Sequence, residues 1–175
     1  MLDVFLNFIL QFRHRDNIKR IKSQSKNVNK KFKSLLIICP KEEYQNQELF
    51  LDFANQLNIS CKKVTLVVLS KKEIVEIKKT PFIMYFISKK SIGFFGKMPD
   101  LIKELFKKKF DLQINFFNYR SIFHEFISTS CSSKIRVGFS KSNHQINDLI
   151  LDIDLKQHKL FLTESKIFLN AILNK

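Results

Sequence analysis

A chain of 175 residues that is 45% hydrophobic can bury one sizeable core, so it needs neither a structural metal nor disulfides, and its net charge of +15 at pH 7 favours polyanionic partners such as RNA, DNA or an anionic membrane surface. Its three cysteines, Cys39, Cys61 and Cys131, are far apart with no CxxC spacing, which argues against zinc and thioredoxin-type chemistry and for buried, reduced thiols. No segment reaches the about 20 apolar residues of a membrane span, and "MLDVFLNFILQF" lacks a basic leader and a cleavage site, so we expect a cytoplasmic protein.

In residues 2–12, Leu2, Phe5, Phe8, Ile9 and Phe12 recur at helical spacing, with Leu6 and Leu10 widening the stripe. From Arg13 to Lys33 nine Lys or Arg stand against one acid, Asp16, a net +8, with Ile18 and Ile21 on one side. Abundant Lys, Asn, Ile and Phe is the composition of AT-rich coding, but composition alone does not cluster charge. We read residues 1–33 as an apolar helix with a basic arm and linker, and residues 34–175 as an α/β domain.

The domain alternates strands and helices. "SLLIICP" (34–40) is a buried strand stopped by Pro40, "EEYQNQELFLDFANQLN" (42–58) a helix, and "KKVTLVVLS" (62–70) a second buried strand. Then come a short helix (71–79), a strand (81–88), a loop with two of the three glycines (89–100), and a helix (100–109). A strand (110–117), a helix (118–132) with Asn118 as its expected N-cap, the strand "KIRVGF" (134–139), a strand (148–155) and a helix (162–174) complete the chain. Such alternation predicts a three-layer, Rossmann-like sandwich with a mostly parallel sheet of five or six strands. The final strand follows a loop without a helix, which suits an antiparallel neighbour.

Ligands of such sheets bind at the carboxyl ends of the strands, but "CPKEEY" after the first strand has no glycine for a dinucleotide turn or a P-loop. No cofactor is implied. "IGFFGK" (92–97) is a candidate anion loop ending in Lys97, although a turn seating Phe94 or Phe95 explains it more simply. "DID" (152–154) is similar to a metal-holding carboxylate pair, but alternation along an edge strand accounts for Asp152 and Asp154, and no metal is implied. His14, His124, His144 and His158 are scattered and give no triad spacing. Asp111 reads as an exposed partner of Lys107 to Lys109. In "KIRVGF", Lys134, Arg136 and Gly138 share a face, which places the strand near an edge or has its cations reaching outward, with Arg136 as a possible anion contact and Gly138 as a point of close approach or a bulge.

Phe110, Asp111, Leu112 and Ile114, then Ser130, Ser133, Lys134, Arg136, Val137, Gly138 and Phe139, then Asn147, Asp148, Leu149 and Ile150, with Ser91 to Lys97, carry a resemblance. They resemble an uncharacterised flavobacterial (Bacteroidota) family with segments of the type F-D-L-L-I-x-Y-Y, S-x-A-K-F-K-V-G-F, N-D-L-I-I and D-I-G-W-F-G-K, Phe94 standing where the family often has Trp. The resemblance implies a single α/β domain of unknown function and brings no catalytic residues. Asp111, Ile114, Arg136 and Gly138 also faintly resemble the N-terminal domain of heptosyltransferase-like enzymes, which implies fold only.

Together these features predict a non-enzymatic basic module that contacts RNA or a ribonucleoprotein through Arg13, Arg15, Lys19, Arg20, Lys22, Lys26, Lys30, Lys31 and Lys33. The alternatives are a protein peripheral to an anionic membrane, held by helix 2–12 and the basic run, and a degenerate transferase acting on a phosphorylated substrate.

Overall fold

"LLIICP" and "VTLVVLS" are apolar at almost every position, and only a strand covered on both faces buries such runs completely. In the structure, a computed structural model that describes residues 2–24, 31–71, 81–93 and 96–173, they are β1 (Leu35–Pro40) and β2 (Val64–Ser70), both interior strands of one sheet. The other strands are β3 (Ile83–Ser88), β4 (Lys109–Asn115), β5 (Ser132–Phe139) and β6 (Leu149–Leu151). Their order is β3-β2-β1-β4-β5-β6 and every pairing is parallel. The direction of winding reverses between β1 and β4.

The helices are α1 (Leu2–Ser23), α2 (Gln47–Gln56), α3 (Asp100–Lys107), α4 (Ile122–Ser130) and α5 (His158–Leu173). Strand alternation divides the core in two. Leu35, Ile37 and Cys39 join Phe50 and Phe53 of α2 and Phe161 and Leu169 of α5 on one face. Leu36 and Ile38 join Leu6 and Leu10 of α1, Leu105 of α3 and Phe126 of α4 on the other. The fold is the expected α/β three-layer sandwich, with six strands.

Several expectations are corrected. The last strand is parallel to β5, not antiparallel. It pairs only with Val137, Gly138 and Phe139, so the chain has to climb back about 10 Å, and a connection with one 3-10 turn (His144–Ile146) suffices. That turn buries Ile146 on the α1/α4 face. Strand 148–155 shrinks to residues 149–151, leaving Asp152 and Asp154 beyond the ladder. There Asp152 accepts from Ser140 Oγ, and Asp154 Oδ1 from the Lys156 amide. The helix expected at 42–58 is a 3-10 turn (Lys41–Asn46) followed by α2, and the closing helix begins at His158. Ser121, not Asn118, precedes α4, and Asn118 Oδ1 accepts from the Lys141 amide. The short helix expected at 71–79 lies almost wholly outside the described residues.

The broad apolar stripe of the first helix divides into a buried line and an exposed one. Leu6, Leu10, His14, Ile18 and Ile21 are buried, whereas Phe5, Phe8 and Phe12 are 41%, 67% and 63% exposed. The reason lies further along the helix. The leucine line continues into Ile18 and Ile21, and the phenylalanine line continues into Arg15, Lys19 and Lys22, whose charges require water.

Candidate functional site

At about 100° per residue, Val4, Phe5, Phe8, Phe12, Arg15, Lys19 and Lys22 fall within one sector of α1 about 100° wide. All are exposed. The outer face of α1 is therefore apolar over its first three turns and cationic over the rest. The exposed apolar part, from Val4 to Phe12, is about 12 Å long.

Polar contacts fix the inner face. His14 Nε2 stands 3.3 Å from Glu125 Oε2 and His14 Nδ1 3.2 Å from Thr129 Oγ1. Asn17 Nδ2 donates to Ser130 Oγ at 3.1 Å. Arg20 donates to the Thr129 carbonyl at 2.8 Å, and Arg13 to the Gly96 carbonyl at 2.8 Å. Glu125 also accepts from Arg120 Nε at 2.8 Å and Asn143 Nδ2 at 2.6 Å. Burial alone would raise the Glu125 carboxyl, but the hydrogen bonds from His14, Arg120 and Asn143 bring it down to about 2. At the other end of α1, Asp3 pairs with Lys89 at 3.0 Å, just past β3.

The nine cations of the basic run thus separate. Arg13 and Arg20 hold carbonyls of the body, Lys26 and Lys30 lie outside the described residues, and Arg15, Lys19, Lys22, Lys31 and Lys33 are exposed.

Asp111 and Arg136 bond to the protein itself. Asp111 is buried and accepts from the Lys33 amide at 2.8 Å, and it pairs with Lys134 at 2.8 Å rather than with Lys107 to Lys109. Burial would raise its carboxyl, but the bonds from Lys134 and Lys33 hold it below the usual range. Arg136 does not reach outward. It is 1% exposed, and its terminal nitrogens donate to the Ser133 carbonyl at 2.9 Å and the Cys131 carbonyl at 3.0 Å. Both carbonyls lie at the α4–β5 junction, and the planar guanidinium fork meets the two together. Buried to this degree, it presents nothing to an anion arriving from solvent. In the glycine loop, the Gly93 amide donates to Lys97 O at 2.8 Å and the Gly96 amide to Gly93 O at 2.7 Å, so these two amides form no anion nest. Lys97 is exposed, and Phe94 and Phe95 lie outside the described residues. Cys39 and Cys131 are buried, Cys131 with its thiol pushed up to about 12 by desolvation, and Cys61 is half-buried. Among the described residues, no three His, Cys, Asp or Glu side chains converge as a metal site requires. No helix among them is long and apolar enough to cross a membrane.

A second feature sits at the carboxyl ends of β1, β2 and β4, where the winding reverses. A cavity of about 310 Å³ is lined by Lys41 and Glu42 after β1, Lys71 after β2, and Tyr119, Phe123 and His124 after β4. Tyr119 Oη lies 2.9 Å from His124 Nε2, and His124 Nδ1 lies 2.8 Å from Ser121 Oγ. The imidazole is wedged among the rings of Phe117, Tyr119 and Phe123. Burial pushes His124 down to about 4, and desolvation pushes the Tyr119 phenol up to about 12, so both are neutral at pH 7. Sequence reasoning passed over Lys41, Lys71 and Tyr119. The available signal was their position, each within a few residues of the end of a parallel strand.

A model for a family of unknown function, DUF6913, matches residues 7–172, and the chain belongs to that family. No curated protein and no solved structure matches the chain.

Proposed function

We propose that this member of DUF6913 attaches peripherally to anionic membrane surfaces through the outer face of α1. The observation that carries the reading is the single exposed line in which Val4, Phe5, Phe8 and Phe12 lead into Arg15, Lys19 and Lys22. An amphipathic helix of this kind dips its apolar part about 5–10 Å into the boundary of headgroups and acyl chains. The cationic turns rest on anionic headgroups, each Lys or Arg contributing about 1 kcal/mol near the surface. The inner face stays on α4 throughout, so the whole domain sits against the bilayer.

An RNA partner would engage the same cations. It would use Phe8 and Phe12 only if single-stranded bases stacked on them. Charge alone therefore does not distinguish the two, whereas the phenylalanines beside a fully aliphatic Val4 favour lipid.

The test is flotation of the full chain with vesicles of phosphatidylcholine alone or mixed with phosphatidylglycerol. Binding is expected only with phosphatidylglycerol, weakening with salt and lost in Phe8→Ser/Phe12→Ser. Failure to float with phosphatidylglycerol at low salt overturns the reading. So does binding unchanged by the double substitution, because the cations alone would then be acting, as with RNA.

A further inference from the structure

The crevice at the reversal of the sheet is built for a ligand independently of α1. Its place, between β1 and β4 at the carboxyl ends of parallel strands, is where open α/β sheets bind small molecules. Its volume, about 310 Å³, holds a molecule of roughly monosaccharide size and is too small for a dinucleotide. The turn after β1 supports the same limit. Pro40 leads straight into the 3-10 turn, with no glycine to let the backbone close on a pyrophosphate. An anion there has to be held by side chains, and Lys41 and Lys71 supply two cations that form no ion pair with another described residue.

The rest of the lining has a different chemistry. Glu42 is an acceptor-only carboxylate. Tyr119 and His124 form a neutral donor–acceptor pair, its geometry fixed by Ser121 and the surrounding rings. A carboxylate beside a phenol–imidazole pair suits neighbouring hydroxyl groups, which both donate and accept. The Phe123 ring offers an apolar wall for a C–H face. We propose that this crevice binds a sugar phosphate, with Lys41 and Lys71 on the phosphoryl group and Glu42, Tyr119 and His124 on the hydroxyls.

Calorimetric titration of the full chain with ribose 5-phosphate and glucose 6-phosphate tests this, with ribose, glucose and inorganic phosphate as separate arms. At least one sugar phosphate is expected to bind saturably, at least tenfold more tightly than its neutral sugar and than inorganic phosphate. Lys41→Ala/Lys71→Ala should weaken that binding more than tenfold. Tyr119→Phe, which removes the hydroxyl paired with His124 and keeps the ring, should weaken it several-fold and leave inorganic phosphate unaffected. The absence of saturable binding by both sugar phosphates overturns the proposal. Affinity equal to that of inorganic phosphate also overturns it, as does affinity indifferent to these substitutions in variants with wild-type thermal stability. Phe8→Ser/Phe12→Ser should bind the sugar phosphate normally, so the crevice and the membrane face stand or fall separately.

Discussion

The carboxamide of Asn147 lies directly over Gly138, where an added Cβ would collide with its Cγ, Oδ1 and Nδ2. From there Asn147 Oδ1 accepts from Asn115 Nδ2 at 2.7 Å, and its own Nδ2 donates to Ser142 Oγ at 3.1 Å. The next residue completes the clasp. Asp148 Oδ2 accepts from the Arg136 amide at 2.9 Å, and the Asp148 amide donates to Arg136 O at 2.8 Å. Gly138 is thus a site of close side-chain approach within a regular strand. Its replacement by Ala must displace buried carboxamides, and we expect Gly138→Ala to cost about 1–3 kcal/mol in urea unfolding.

Arg136 acts on the protein's own backbone. Truncation in Arg136→Met removes the guanidinium donors from the Cys131 and Ser133 carbonyls, a loss on the order of 1–3 kcal/mol. Lysine would be a poor replacement there, since a single ammonium does not reproduce the planar fork, so Arg136→Lys should recover less than half of the loss by the same measurement.

The pairing of α1 with α4 should weaken in acid. Glu125 is held at about 2 in the folded chain, below its ordinary 4.5, so its contribution is present above pH 4.5 and is lost as pH falls towards 2. The size is on the order of 2 kcal/mol, and Asp111, also held low, adds in the same sense. Urea midpoints measured from pH 7 down to pH 3 should fall for the native chain and fall less for Glu125→Gln. An equal acid slope in that variant would show that Glu125 is not the titrating group.

The orientation of α1 has its own test in stability. Phe8→Ser and Phe12→Ser should each change unfolding free energy by no more than about 0.5 kcal/mol, as exposed positions do. Leu10→Ala, at a fully buried position, should cost about 2–5 kcal/mol. Reversal of that ranking would mean the phenylalanines face the core.

The sheet was legible because β1 and β2 are apolar on both faces, a pattern that only a covered parallel strand satisfies. Arg136 was misread because a cation signals surface unless the carbonyls it will meet are known, and those belong to a helix end and a strand start placed together only by the fold. The direction of β6 was hidden for a similar reason. A helix-free connection suggests a hairpin, and nothing local to 140–148 reveals that only three residues of β5 are to be paired. The side of α1 that is buried could have been read by following each line of the helix past residue 12, to Ile18 and Ile21 on one side and Arg15 and Lys19 on the other. For the crevice, position just after a strand end could have marked Lys41, Lys71 and Tyr119 singly, but their convergence depends on the strand order.

The clasp between α1 and α4 joins residues more than a hundred positions apart, His14 to Thr129 being separated by 115. A ribosome adding about 5–20 residues per second delivers Thr129 on the order of ten seconds after His14. For that interval Leu6, Leu10, Ile18 and Ile21 have no α4 to cover them, and the nascent helix is apolar on both its inner and outer sides. Helix α1 therefore leaves the ribosome long before its seat on α4 exists, and its apolar lines are exposed for the whole of that interval.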